Sequence, residues 1–316
     1  MRTVAVVSMF VLVSATPPSR GGGVLSANTQ GDGQPRFRST TELVVMTVTV
    51  QQSSGGYVSS LGRDNFTIYE DGRPQPIALF SSDDVPVDVA LVVDTSSSVS
   101  DQIPLARQAA ITLANGLSPA DRVAVFSFDQ QTRLEQPFTS DRLAIERALG
   151  QVHGSSTTAY YDAMNVVLQS FKGAGSEVAR RRAIVVLSDG EDTASMSTYE
   201  DVLDRARRLG VAIYTVALRS APAANHSAVL RRTSESAFEL RALAFETGAR
   251  AFTLTARNDL RGAYQSIAEE LGHQYSIAFV PGVHVPGRFT RVRIDVDQPG
   301  LQVRARTGYI ASGAHN

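Results

Sequence analysis

Two stretches, Val89-Ala90-Leu91-Val92-Val93 and Ala183-Ile184-Val185-Val186-Leu187, are apolar at every position. A strand with one wet face alternates, so a run without alternation predicts a strand covered on both faces, as in a parallel sheet between helices. Their surroundings agree. Helical spacing marks Ile103 to Asn115, Asp141 to Leu149, Tyr160 to Phe171, a stretch ending at Gly210, another ending near Gly248, and Asp259 to Leu271. Ser140 is the expected N-cap of the second helix, and Ser197 with Glu200 and Ser236 with Glu239 have capping-box spacing. Further strands fit Arg122 to Phe128, Val211 to Leu218 and Ala251 to Leu254. This alternation over residues 85–271 predicts an α/β fold with a doubly wound, mostly parallel sheet.

Both flanks follow a different rule. Val44, Met46, Val48 and Val50 alternate with other residues, as do Val292, Ile294 and Val296, and Leu301, Val303 and Ala305 extend the apolar face after the Pro299-Gly300 turn. Asp71-Gly72 predicts a hairpin turn between Asn65–Glu70 and a strand from Arg73 to Phe80, which makes residues 41–80 a small antiparallel unit. Neither 41–80 nor 273–309 is large enough for a core of its own. They are expected to pack together as an antiparallel, β-sandwich-like domain built from both chain ends. The expected divisions are a signal peptide and leader at 1–27, an N-terminal β segment at 41–84, the α/β domain at 85–271 and a C-terminal β segment at 272–311.

Composition narrows the function. The chain's 316 residues suggest about two domains. Thirty basic against 31 acidic residues leave a net charge of −1, which speaks against a dedicated nucleic-acid binder. The absence of cysteine excludes disulfides, thiolate metal sites and cysteine nucleophiles. Arg2, the apolar Val4 to Val13 and the Val13-Ser14-Ala15 or Leu25-Ser26-Ala27 cleavage sites predict a secretory signal, hence a periplasmic or extracellular protein. No later stretch is long and apolar enough for a membrane span. His153, His226, His273, His284 and His315 are scattered without ligand spacing, and Gly21-Gly22-Gly23 opens no strand–helix unit. Arg180-Arg181-Arg182 reads as a solvated strand entry in preference to an anion patch, the alternative.

One constellation carries chemistry. Asp94-Thr95-Ser96-Ser97-Ser98 follows a doubly covered strand, and ligands of open α/β sheets bind beyond the carboxyl ends of strands. Asp94, Ser96 and Ser98 at alternate positions offer one carboxylate and two hydroxyls, an oxygen set suited to a hard cation. Asp189 ends the second apolar run, and Gly154 to Thr158 forms a loop before the helix that carries Asp162. Glu191 and Asp192 are expected to lead the next helix rather than to bind metal, with support of the metal ligands as the alternative role. Neither Ser96 nor Ser98 sits in a Gly-x-Ser-x-Gly elbow with a histidine placed as its base, so a nucleophile is disfavoured.

At these residues the chain resembles the von Willebrand factor type A domain, over about residues 85–271. The resemblance implies a metal held by Asp94, Ser96, Ser98, Thr158 and Asp189. Thr158 is favoured over Thr157 because Thr158-Ala159-Tyr160-Tyr161-Asp162-Ala163 matches the family's threonine before a Tyr-Asp-Ala helix start. Leu61-Gly62-Arg63-Asp64-Asn65-Phe66, Tyr69-Glu70-Asp71-Gly72 and Arg304-Ala305-Arg306-Thr307-Gly308-Tyr309 are similar to a bacterial subgroup. The implied cofactor is Mg²⁺, with Mn²⁺ or Ca²⁺ as alternatives. The implied activity is non-enzymatic adhesion, in which an Asp or Glu carboxylate of a protein partner completes the metal's octahedron. The competing reading is a structural component whose metal only stabilises the fold.

Overall fold

The computed structural model describes residues 43–82, 85–97, 102–152, 158–172, 180–218, 227–254 and 259–311, all in one compact unit spanning Thr41–Asn316. The expected signal peptide and leader, Ser98, Thr157, His153, His226 and His315 lie outside the described residues.

Four strands come first: β1 (Val44–Gln52), β2 (Phe66–Glu70), β3 (Arg73–Gln75) and β4 (Ile77–Ser81). The middle of the chain then runs β5 (Val87–Asp94), α1 (Ile103–Gly116), β6 (Arg122–Phe128), β7 (Thr132–Thr139), α2 (Arg142–Gln151), α3 (Tyr160–Ser170), β8 (Arg181–Leu187), α4 (Tyr199–Leu209), β9 (Val211–Leu218), α5 (Ser227–Glu246), β10 (Ala251–Leu254) and α6 (Asp259–Leu271). Strands β11 (Gln274–Phe279), β12 (Phe289–Val296), β13 (Leu301–Arg304) and β14 (Gly308–Ile310) close it.

The middle forms a six-stranded sheet in the order β10-β9-β8-β5-β6-β7, parallel except at β7. Every residue of β5 is buried. Val87, Val89, Leu91 and Val93 face a layer of α1, α2 and α6, while Ala90 and Val92 face α3, α4 and α5. A doubly wound α/β sheet is therefore the fold, flanked by two antiparallel sheets made from both chain ends. In these, β1 lies between β11 and β13, with β4 beyond β11, and β12 lies between β14 and β2, with β3 beyond β2. Val44, Met46, Val48 and Val50 meet Phe66, Ile68, Tyr275, Phe279, Val292 and Ile294 in one apolar core between the two sheets.

Several local expectations change in context. The 41–80 stretch is no self-contained unit, because β1 and β4 join one sheet and β2 and β3 the other. The predicted Arg73–Phe80 strand breaks at Pro76, whose missing N–H lets the chain cross between sheets. The Asp71-Gly72 turn does form, with both residues at positive φ (46° and 82°). Strand β7 had no signal in the sequence, since it is an edge strand with no fully buried residue. Asp141, not Ser140, caps α2, accepting from Leu143 N and Ala144 N. Thr198 and Asp201, not Ser197 and Glu200, form the capping box of α4. Ser236 and Glu239 cap nothing, because α5 starts nine residues earlier at Ser227. Arg180-Arg181-Arg182 is no solvated entry either. Arg180 binds Asp88, and buried Arg181 donates to Val85 O, Leu271 O and Gln274 Oε1.

The α/β sheet and the β layers meet in a polar seam. Glu270 of α6 is fully buried and accepts from Tyr214 Oη and from Arg304 of β13, both at 2.7 Å. Gln274 bridges Tyr214 Oη (3.1 Å) and Thr49 Oγ1 (3.2 Å). At Gly248 (φ 80°) the backbones approach so closely that a Cβ would lie 2.4 Å from Arg306 N. The subgroup motifs meet within the β layers, with Tyr309 Oη of β14 donating to buried Glu70 of β2 at 2.6 Å.

Candidate metal centre

The carboxyl ends of β5, β6 and β8 bring their loops to one edge of the sheet, as parallel register requires. Asp94, the last residue of β5, is 1% exposed. Its Oδ1 accepts from Ser96 N (2.9 Å) and its Oδ2 from Ser188 Oγ (2.6 Å), which ties the first loop to the end of β8. Ser96 is buried beside it. Thr95 N and Oγ1 each donate to Phe128 O at 2.8 Å, tying the same loop to β6. From there Asp129 O accepts from Ala159 N (2.8 Å), and Thr158 O accepts from Thr193 N (3.0 Å) and Oγ1 (3.1 Å). Thr193 follows Asp189 in the loop that begins at Ser188. A closed circuit of hydrogen bonds thus joins the loops bearing Asp94, Thr158 and Asp189.

The charges within this ring are unevenly matched. Burial pushes the Asp94 carboxyl up to about 6, against hydrogen bonds from Ser188 and Ser96 that lower it, and the Asp189 charge raises it further. No arginine or lysine among the described residues contributes to its surroundings. Asp189 is half-buried and accepts from Glu191 N at 3.1 Å. Thr158 is buried. Among the described residues no three His, Asp or Glu side chains converge, so hydroxyls would dominate any ligand set here. A buried, uncompensated carboxylate beside hydroxyls fits a hard divalent cation, because such an ion supplies the missing positive charge through oxygen ligands.

For Asp192 the supporting role, the alternative in the sequence reading, is the one the structure shows. Asp192 does not lead its own helix; its Oδ1 accepts from Tyr160 N (2.8 Å), at the first turn of α3. Asp162 reaches back to accept from Met196 N (3.0 Å) and Ser197 N (2.9 Å), and these hydrogen bonds lower its pKa. Ser188 had no sequence signal beyond its place before Asp189. The partners are 32 to 94 residues apart, outside the reach of any local pattern. The two described histidines belong to the β layers, where His273 stacks on Tyr57 and His284 lies 3.0 Å from Glu70.

The von Willebrand factor type A domain profile matches residues 88–266, more than half of the chain. The chain belongs to that family. Comparison with curated protein sequences returns no match. Among solved structures, this von Willebrand factor type A chain is similar to the von Willebrand factor type A protein from Catenulispora acidiphila, 13% identical over 88% of this chain and 76% of that one, with a TM-score of 0.50. It is also similar to the vWF domain of the type V pili tip protein Mfa5 from Porphyromonas gingivalis, 14% identical over 64% of this chain and 99% of that one, at 0.46. BatB from Bacteroides thetaiotaomicron is 18% identical over 58% of this chain and 98% of that one, also at 0.46. Likeness at these identities is likeness of fold.

Proposed function

We propose that this chain is an exported, metal-ion-dependent binding module that captures an acidic group of a protein partner. Asp94, Ser96, Ser98, Thr158 and Asp189 would hold the ion, with Mg²⁺ favoured by the oxygen ligands and Mn²⁺ or Ca²⁺ as alternatives. The observation that carries this reading is Asp94, a nearly unexposed carboxylate whose partners among the described residues are hydroxyl and amide donors. When bound, the metal supplies an electrophilic position that a partner's Asp or Glu carboxylate can occupy. The protein's own part is to hold the three loops in register through the hydrogen-bonded circuit, so that the ligands need little rearrangement on binding. The role is one of binding, not of turnover.

Export rests on the charged start and short apolar run of the sequence. N-terminal sequencing of protein from its native host should give a mature start at Thr16 or Asn28, and an intact Met1 in the cytoplasm would refute it. The binding claim is tested by affinity capture from the same compartment with Mg²⁺ against chelator. Partners retained only with Mg²⁺, and lost with Asp94→Ala, are expected. Retention that ignores the chelator would point to a metal that serves stability alone.

A further inference from the structure

A groove of about 590 Å³ lies at the other end of the sheet, between the α/β layers and the β1-β11-β4 face. Its floor is a cross-strand row of Val45, Ala278 and Leu79, in register on β1, β11 and β4. Three strands at a spacing of about 4.8 Å make this row about 10 Å long. Val45 and Leu79 are 52% and 59% exposed, unusual for apolar side chains so close to a core.

Among the described residues the wall is cationic without matching acids. Asp88 is the one carboxylate among the described lining residues, and Arg122 and Arg180 already occupy it. Arg207 is likewise paired with Glu246 (2.6 Å). Lys172, Arg182, Arg208 and Arg306 line the groove with no carboxylate partner among the described residues. Arg306, from the C-terminal motif, is the most telling. Its guanidinium donates only to Arg207 O, Val45 O and Met46 Sδ, and desolvation lowers its pKa to about 10. A desolvated cation beside open space is stabilised by an anion placed there.

We propose that this groove binds a single-chain aliphatic carboxylate, with its head against Arg182, Arg208, Arg306 and Lys172 and its tail along Val45, Ala278 and Leu79. A peptide is the poorer fit. Every peptide unit brings a donor and an acceptor needing partners, whereas the floor presents apolar side chains on the face of a sheet, and Val45 O already accepts from Arg306. The unmatched groups of the wall are donors, which suits a ligand whose polarity is an acceptor-only head. The groove is independent of the Asp94 site. Asp88 lines it, and Asp88 and Asp94 are six residues apart on β5, about 20 Å along the strand.

Isothermal titration of the full chain with sodium dodecanoate below its micelle concentration tests the proposal. EDTA is present throughout, and Asp94→Ala serves as a control that removes any carboxylate capture at the other site. Saturable binding of one dodecanoate per chain is expected, unchanged in Asp94→Ala. Binding should weaken by about tenfold or more in Leu79→Glu, which puts a like charge on the tail's path, and by about fivefold in Arg208→Glu. Both residues are exposed, and thermal melts matching the parent chain would establish that the variants fold. Dodecyltrimethylammonium should bind at least about tenfold more weakly than dodecanoate. No saturable binding, equal binding of the cationic detergent, or indifference to both substitutions would overturn the proposal. So would tighter binding of the peptide acetyl-Glu-Leu-Glu-Leu-Glu-amide, which would make the groove a peptide site.

Discussion

Asp94 and Glu270 are 1% and 0% exposed, and the α/β sheet surrounds them in opposite ways. Glu270, at the seam with the β layers, meets Arg304 at 2.7 Å, Arg250 at 3.8 Å and the hydroxyls of Tyr214 and Tyr57. Asp94, at the carboxyl edge, meets only hydroxyl and amide donors among the described residues. Fixed arginines satisfy the first carboxylate, so it acts as architecture. Among the described residues nothing fixed neutralises the second, and burial drives its pKa up to about 6. The same residue chemistry thus serves as a rivet in one place and, under the proposed function, would serve as a cation ligand in the other, according to whether the fold itself supplies the counter-charge.

The comparison breaks most visibly on removal of each carboxylate. Glu270→Ala leaves half-buried Arg304 beside Tyr214 without its acid and should cost about 3 kcal/mol in urea unfolding. A loss below about 1 kcal/mol would mean that the seam is wet and the rivet ornamental. Asp94→Ala should instead leave metal-free stability unchanged or raised, while weakening Mg²⁺ binding about a hundredfold, or about 3 kcal/mol, by calorimetry. Unchanged affinity in both Asp94→Ala and Asp189→Ala would place any ion elsewhere.

A smaller effect concerns pH. The Asp94 carboxyl titrates near 6 in the folded chain against 3.8 for an ordinary Asp, so the folded state takes up the proton first. Its burial penalty is present in full above pH 6 and is relieved as pH falls from 6 towards 4. The metal-free protein should therefore gain roughly 1–2 kcal/mol at Asp94 between pH 7 and pH 5, seen as the difference from Asp94→Asn in the same buffers. Saturating Mg²⁺ should abolish that difference, because the ion competes with the proton. A metal-free difference of the opposite sign would show that Asp94 is not desolvated.

The smallest expected effect sharpens the account of the loop circuit. Asp192→Ala removes the acceptor of Tyr160 N and should cost about 1 kcal/mol, the usual value of a helix N-cap. Mg²⁺ affinity should fall with it, by a few fold, because Thr158 directly precedes this turn. A stability loss with unaltered Mg²⁺ affinity would uncouple the α3 cap from the site.

Periodicity alone made the architecture legible. The unbroken runs around Leu91 and Val185 can be buried only between two helical layers, and the alternation around Met46 and Ile294 only against a single core face. The ends of parallel strands share one edge, so Asp94 and Asp189 could be set side by side from their positions after those runs. Local patterns failed where two signals competed within a few residues, as with Ser140 and Asp141 or Ser197 and Thr198, since either side chain can reach the same amides. They failed wholly where the partner is remote. That Asp192 caps a helix starting 32 residues earlier, that Arg181 is buried against Leu271 O, and that Arg304 finds Glu270 are consequences of packing. Sequence determined which residues must be covered and on which faces. Only the tertiary structure decided which buried charges receive a counter-charge, because that depends on side chains brought within about 3 Å by elements far apart in the chain.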